Sequence, residues 1–184
     1  MAYSADSFVA DEQPTTAKWN KLWNNDASFN DGSGIASMTW ATTALANPYK
    51  FRASNTAAQN TSAGTHVKTT YNTEQYDTNS NYDSATNYRY TAPVAGFFNA
   101  VASFCVTANP GSFLICVLYK NGAALQRGIQ AAGFNGASGA NYSDQIQLAA
   151  TDYIEGYNFA SNTVALGVSA PEIGLFGASL FSRT

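Results

Sequence analysis

The 184-residue chain offers few side chains for chemistry: one histidine, two cysteines and 12 acidic residues. A Ser-His-acid triad would have to be built on His66. That residue sits beside Val67 in an expected strand, and no G-x-S-x-G nucleophile motif accompanies it. One histidine and two distant cysteines do not make a zinc set. The Gly-rich string at 133–139 (GFNGASG) lacks the lysine and helix start of a phosphate-cradling loop, and reads as a mobile surface loop. Asp77 and Asp83, with the asparagines between them, offer the hard oxygen ligands that suit calcium. Their spacing departs from the EF-hand loop and equally describes a well-made turn. The expectation is a non-enzymatic protein with no cofactor, and with Asp77 and Asp83 as weak metal candidates.

Composition points the same way. The chain is 45% hydrophobic and 14% aromatic, but only 11% charged, under half the ~25% usual in soluble domains. A surface of Asn, Ser, Thr and Tyr suits an oligomer or a contact surface. The nine basic residues are scattered and net charge is −3, so no basic stripe could track phosphates and nucleic acid is not an expected partner. No apolar run approaches about 18 residues, so no membrane insertion is expected. The N-terminus has neither a basic start nor a long apolar core, so no signal peptide is expected and synthesis is assigned to the cytoplasm.

The elements that must position any site divide at residue 36. In 1–36, Pro14 follows Asp11 and Glu12, a pattern that suits a helix start. Trp19, Leu22 and Trp23 then share one face with Ala27, and Phe29 precedes a Gly-rich stop. A helix this short is marginal alone, so its tryptophans need a partner. That partner is either its own domain or, as an attachment segment, a larger assembly. Residues 35–45 read as a strand or an extended connector.

Residues 37–184 read as one all-β domain. Tyr49, Phe51 and Ala53 alternate with basic residues in a half-buried strand; 55–64 is loop, and 65–73 is the next strand with its register open. Residues 71–102 run as strand, turn-rich loop, strand and a Pro93–Gly96 corner. The strand at 97–107 is apolar on both faces. Phe98, Ala100, Ala102, Phe104 and Val106 form one set; Phe97, Val101 and Cys105 form the other. A strand apolar on both sides of a two-layer sandwich needs a second cover. After the turn at 109–112, residues 113–119 form the most apolar strand, closed by a hairpin turn at Lys120-Asn121-Gly122. Residues 131–143 read as a Gly-rich loop. Strands at 146–148, 164–168 and 175–181 follow.

The series N-T-E-x-Y-D, N-Y-D and Y-T-A-P-V-A-G-F-F within 71–102 resembles the globular head of the complement component 1q family, related to tumour necrosis factor. Y-K-N-G at 119–122 and L-A-A-T-D-Y-I-E at 148–155 match too, with Thr151 where the family has glycine. The resemblance covers about 49–184 and implies a two-sheet antiparallel jelly-roll sandwich, here preceded by the short helix. Related heads are trimers, which implies a homotrimer interface with Phe97, Phe98, Val101 and Phe176 as candidates. The alternative cover is a loop or the N-terminal helix. A hairpin would set Cys105 opposite Cys116, but the family topology puts them in opposite sheets, too far apart for a ready disulfide; free thiols are expected.

Family versions occur on bacteriophage virions, and FVADEQPTTAKWNKLWNNDASFNDGSGI resembles the leader of phage fibre and appendage proteins. The implied function is a virion structural protein in a fibre, spike tip or head decoration. The N-terminal segment would bind other virion proteins while the head adheres to a host-surface glycan or protein. A cement protein without ligand is the alternative, and a bacterial adhesin head the third reading. Tyr82, Tyr88 and Tyr90, near loops rich in Asn and Ser, are the candidate ligand contacts, unless they cover the sandwich edge or meet a neighbouring subunit.

Overall fold

A computed structural model of the chain describes residues 47–108, 112–133, 136–167 and 173–184. The N-terminal helix with Trp19, Leu22, Trp23 and Phe29, the connector at 35–45, the boundary at residue 36 and the turn at 109–111 lie outside the described residues. The compact unit that carries the fold is Asn47–Thr184.

Strand patterning builds two antiparallel sheets. The first holds β1 (Lys50–Ser54), β2 (Asn60–Thr61), β4 (Thr73–Asp77), β7 (Gly96–Ala108), β11 (Gly136–Leu148), β13 (Val164–Leu166) and β14 (Leu175–Arg183). The second holds β3 (His66–Lys68), β5 (Tyr82–Asp83), β6 (Arg89–Thr91), β8 (Phe113–Lys120), β9 (Ala123–Arg127), β10 (Ala131–Ala132) and β12 (Tyr153–Ala160). The chain passes repeatedly from one sheet to the other. The result is a two-sheet jelly roll.

The centre of the first sheet is β7, which pairs with β11 over its whole length and with β14 and β13 on its other side. Phe98, Ala100, Ala102, Phe104 and Val106 of β7 all face the core, as their alternation predicts. Phe51 lies between Tyr82 and Tyr90, with ring centroids 4.7 and 4.6 Å away, and Phe176 meets it edge-on at 5.0 Å. Tyr71 bridges the layers: its hydroxyl donates to the Ser103 carbonyl at 3.0 Å. Gly156 makes room for that ring, since a Cβ there would lie 2.8 Å from Tyr71 Cε2.

Three expectations change. The stretch 131–143 is not a loop; β10 occupies its start and β11 runs from Gly136. Full pairing with β7, and the inward side chains of Ala140 and Tyr142, override the poor strand propensity of its Gly, Ala and Asn. The expected strand at 65–73 breaks into β3 and the start of β4. Between them Thr69 turns inward and accepts from Asn158 Nδ2 at 2.8 Å, while Tyr71 drops into the core. The expected loop at 55–64 contains the short β2.

The hairpin at 121–122 forms as expected. Asn121 and Gly122 have φ of 51° and 79°, the left-handed pair that a two-residue turn requires. β7 and β8 lie in different sheets, so Cys105 sits half-buried on the outer side of one layer while Cys116 faces the core of the other. Burial pushes the Cys116 thiol up to about 12.

Candidate functional site

The two sheets turn chemically opposite faces outward. Side chains alternate along a strand, so the outward positions of β7 are Phe97, Asn99, Val101, Ser103, Cys105 and Thr107. Register extends these into rows. Val101 lies between Ser143 and Gly177, and the row continues through Arg52 to Tyr76. Asn99 lies between Gln145 and Ser179, and Gln145 Nε2 donates to Asn99 Oδ1 at 3.2 Å.

Gly177 has no side chain to fill its place in the row. An open groove of about 590 Å³ results, lined among others by Tyr76, Val101, Asn99, Ser143 and Ser179. Val101 is 44% exposed, Phe97 38% and Tyr76 46%. The outward positions of β7 and β11, and those of β14 from Leu175 to Ser179, carry no Asp, Glu, Lys, Arg or His. The nearest acid is Asp144 at the groove rim. Its carboxyl accepts from the Tyr142 hydroxyl at 2.6 Å and from the Gln145 N–H at 2.7 Å, which hold it below the usual carboxylate range.

The second sheet presents rings and cations. Tyr153, Glu155, Tyr157 and Phe159 occupy alternate positions of β12 and face outward. Tyr157 stacks on Tyr119 of β8 with centroids 3.8 Å apart, and Phe159 stacks on Phe113 at 5.7 Å. His66 points its edge at Tyr119 and Phe159, and its Nδ1 is hydrogen-bonded to the Tyr119 hydroxyl at 2.7 Å. Partial burial and the nearby Arg127 charge lower the His66 pKa below its ordinary value.

Lys68 Nζ pairs with the buried Glu155 carboxylate and lies 5.9 Å from the Tyr157 ring centre. The Arg89 guanidinium sits 4.4 Å from the Tyr153 ring centre, a cation–π distance. Arg127 is exposed at the end of β9, across β8 from Tyr157. Arg89 and Arg127 make no ion pair with a described residue; Glu155 pairs with Lys68 and Asp152 with Lys120, while Asp83, directly across from Arg89, holds the N–H groups of its own loop. Burial, then the Glu155 charge, push the Tyr157 hydroxyl up to about 12, so it stays a neutral donor at neutral pH.

The residues singled out from sequence fall on different sides of these layers. Phe97 and Val101 are outward. Phe98 and Phe176 are interior at 0% exposure, because β7 and β14 turn them toward the opposing sheet, so neither offers surface to a neighbour. Tyr82 and Tyr90 are also core residues, stacked on Phe51, so a ligand cannot reach their rings. Tyr88 is half-buried with φ of 49°.

Asp77 and Asp83 serve their own loops. Asp77 accepts from the N–H groups of Asn79 and Tyr82 at 3.2 and 2.6 Å. Asp83 accepts from the N–H groups of Ala85, Thr86 and Asn87 and from Asn87 Nδ2. Those donors, the Thr86 N–H first, lower its carboxyl to about 2. A cation at either carboxylate would displace donors that hold the turn. His66 meets the Tyr119 hydroxyl and the rings of Tyr119 and Phe159, and no carboxylate among the described residues is bonded to it.

Sequence reasoning passed over Tyr119, Tyr157, Arg89 and Arg127. A signal for part of that set was present: an aromatic or acidic residue at every second position from 153 to 159.

The whole-chain comparisons follow the architecture. No family model and no curated protein matches the chain. Solved structures do. The globular domain of zebrafish complement 1qA superposes with a TM-score of 0.55 at 16% identity, over 74% of this chain and 99% of that one. The Eiger tumour necrosis factor of S. frugiperda gives 0.55 at 9% identity, over 74% and 94%. Murine APRIL gives 0.54 at 10% identity, over 72% and 98%. At these identities the likeness is one of fold.

Proposed function

We propose that the chain is a non-enzymatic, homotrimeric jelly-roll head, assembled through the outer face of its first sheet and displayed on a phage virion for adhesion to a host surface. One observation carries the trimer: three neighbouring strands turn outward a run without a charged side chain, with Phe97 and Val101 exposed within it. Depletion of charge around exposed apolar side chains marks the centre of a protein interface. The groove beside Val101 gives a neighbour a concave surface to fill. A cyclic contact, in which a patch of one copy meets a different patch of the next, gives a ring of three when the rotation between copies is a third of a turn.

The test is Val101→Arg in the full chain. It sets a charge in the middle of the uncharged face while leaving the inward residues of β7 alone. Sedimentation velocity is expected to show a monomer with an unchanged far-UV circular dichroism spectrum. A variant that sediments like the parent overturns this interface.

Display on a virion is supported by the resemblance of the N-terminal sequence to phage appendage leaders, with Trp19 and Trp23 as the contacts to other virion proteins. Trp19→Ala combined with Trp23→Ala is expected to abolish incorporation into particles while the head still folds. Particles that take up the double variant normally refute the attachment role.

A further inference from the structure

We propose that the outer face of the second sheet is the adhesive surface, and that its ligand is an acidic saccharide, a sugar chain bearing carboxylates. This rests on the reading of the chain as a displayed binding head, but uses the face opposite to the trimer contact. The observation behind it is a juxtaposition: a stacked tyrosine pair, Tyr119 on Tyr157 at 3.8 Å, with one cation on each side that has no ion pair among the described residues. Arg89 lies on β6 and Arg127 on β9.

Each part matches one feature of such a ligand. The stacked pair is half-buried, and its ring edges and hydroxyls give a sugar apolar contact and hydrogen bonding. The hydroxyls of Tyr153 and Tyr157 have no partner among the described residues, which leaves them for sugar hydroxyls. A guanidinium holds a carboxylate through two parallel N–H donors. Arg89 is additionally held in place by its contact with the Tyr153 ring.

Two acids flank Arg89 across the strands: Glu155 is buried and paired with Lys68, and Asp83 is held by the N–H donors of its own loop, so neither forms an ion pair with the arginines. From β6 through β12 and β8 to β9 is three inter-strand steps, roughly 14 Å at the backbone. That span suits an oligosaccharide lying across the strands better than a single sugar.

The same features argue against a nucleic acid. Two arginines are too few to track a phosphate backbone, and the chain's net charge of −3 repels a dense polyanion. The flat face also predicts weak binding by one head, with strength coming from several copies.

The experiment titrates the full-length protein calorimetrically with tetragalacturonate, and in parallel with maltotetraose as a neutral sugar of the same length. Tetragalacturonate is expected to bind and maltotetraose is not. Arg89→Gln with Arg127→Gln should weaken binding by about tenfold per arginine. Tyr157→Leu should weaken it while keeping both charges. Neither variant should change the sedimentation coefficient, because neither touches the first sheet. A trimer that fails to bind therefore sinks this proposal without sinking the assembly.

Four results overturn it: no binding of tetragalacturonate, equal binding of maltotetraose, full binding by the double arginine variant, or full binding by a folded Tyr157→Leu variant. The last would reduce the effect to bare charge attraction. Should Tyr157→Leu not fold, the surface arginine variant decides alone.

Discussion

Tyr82 and Tyr90 clasp the same phenylalanine from opposite sides, yet their hydroxyls have different surroundings. Tyr82 donates to the Tyr71 carbonyl at 2.8 Å, whereas the buried Tyr90 hydroxyl has no partner among the described residues. A buried polar group without a partner costs more than a satisfied one contributes. Tyr90→Phe should therefore stabilise the fold by about 1 kcal/mol, and Tyr82→Phe should destabilise it by about the same amount. Urea unfolding of the two variants checks the opposite signs; shifts in the same direction would remove the hydroxyl argument. Burial raises the pKa of both phenols well above the ordinary tyrosine value, so both remain neutral wherever the protein is folded. At this scale Phe97 and Val101 were legible, since a strand apolar on both faces must expose one of them. Tyr82 and Tyr90 were not. Their closeness to polar loops in the chain hides that β5 and β6 pair with each other on the edge of a sheet and turn both rings inward.

Among the elements, the turn between β11 and β12 stores strain. Thr151 sits there at φ of 74°, a left-handed conformation that a β-branched residue adopts only under constraint. Its N–H donates to the Ala92 carbonyl at 2.8 Å, and Asp152 closes the turn by accepting from the Ala149 N–H at 2.8 Å. Lys120, then Asn121 and that N–H, lower the Asp152 carboxyl to about 2. Thr151→Gly should remove the steric cost and raise stability by about 1 kcal/mol, read as a higher melting temperature. A lower melting temperature would mean that chain entropy outweighs the strain. β7 was legible because its inward residues are large and alternate without a break. β11 was not, because Gly136, Gly139 and the alanines around them carry little strand propensity. Its state is decided by thirteen residues of pairing with β7 and by Ile146 and Leu148 at its far end. β12 was not assigned a face from sequence; its parity sends Tyr153, Tyr157 and Phe159 outward, stacked or packed on rings of the neighbouring strands.

For the whole molecule, the two layers share one core and divide the outer surface by chemistry. At the centre of the first sheet, β7, β11 and the start of β14 turn an uncharged, partly apolar run outward. The second sheet turns rings and guanidinium groups outward. Solved structures with this fold bear out the jelly roll that the 71–102 pattern implied. Motifs in that stretch act through corners and turns, which many sequences can build, so they report architecture more directly than partners. A trimer closed on the first sheet would leave the second sheet of every copy outward. Sedimentation equilibrium of the full-length protein at micromolar concentration tests the trimer most directly. A homotrimer is expected to give a single species at three times the 19.5 kDa chain mass; a species at 19.5 kDa overturns the trimer.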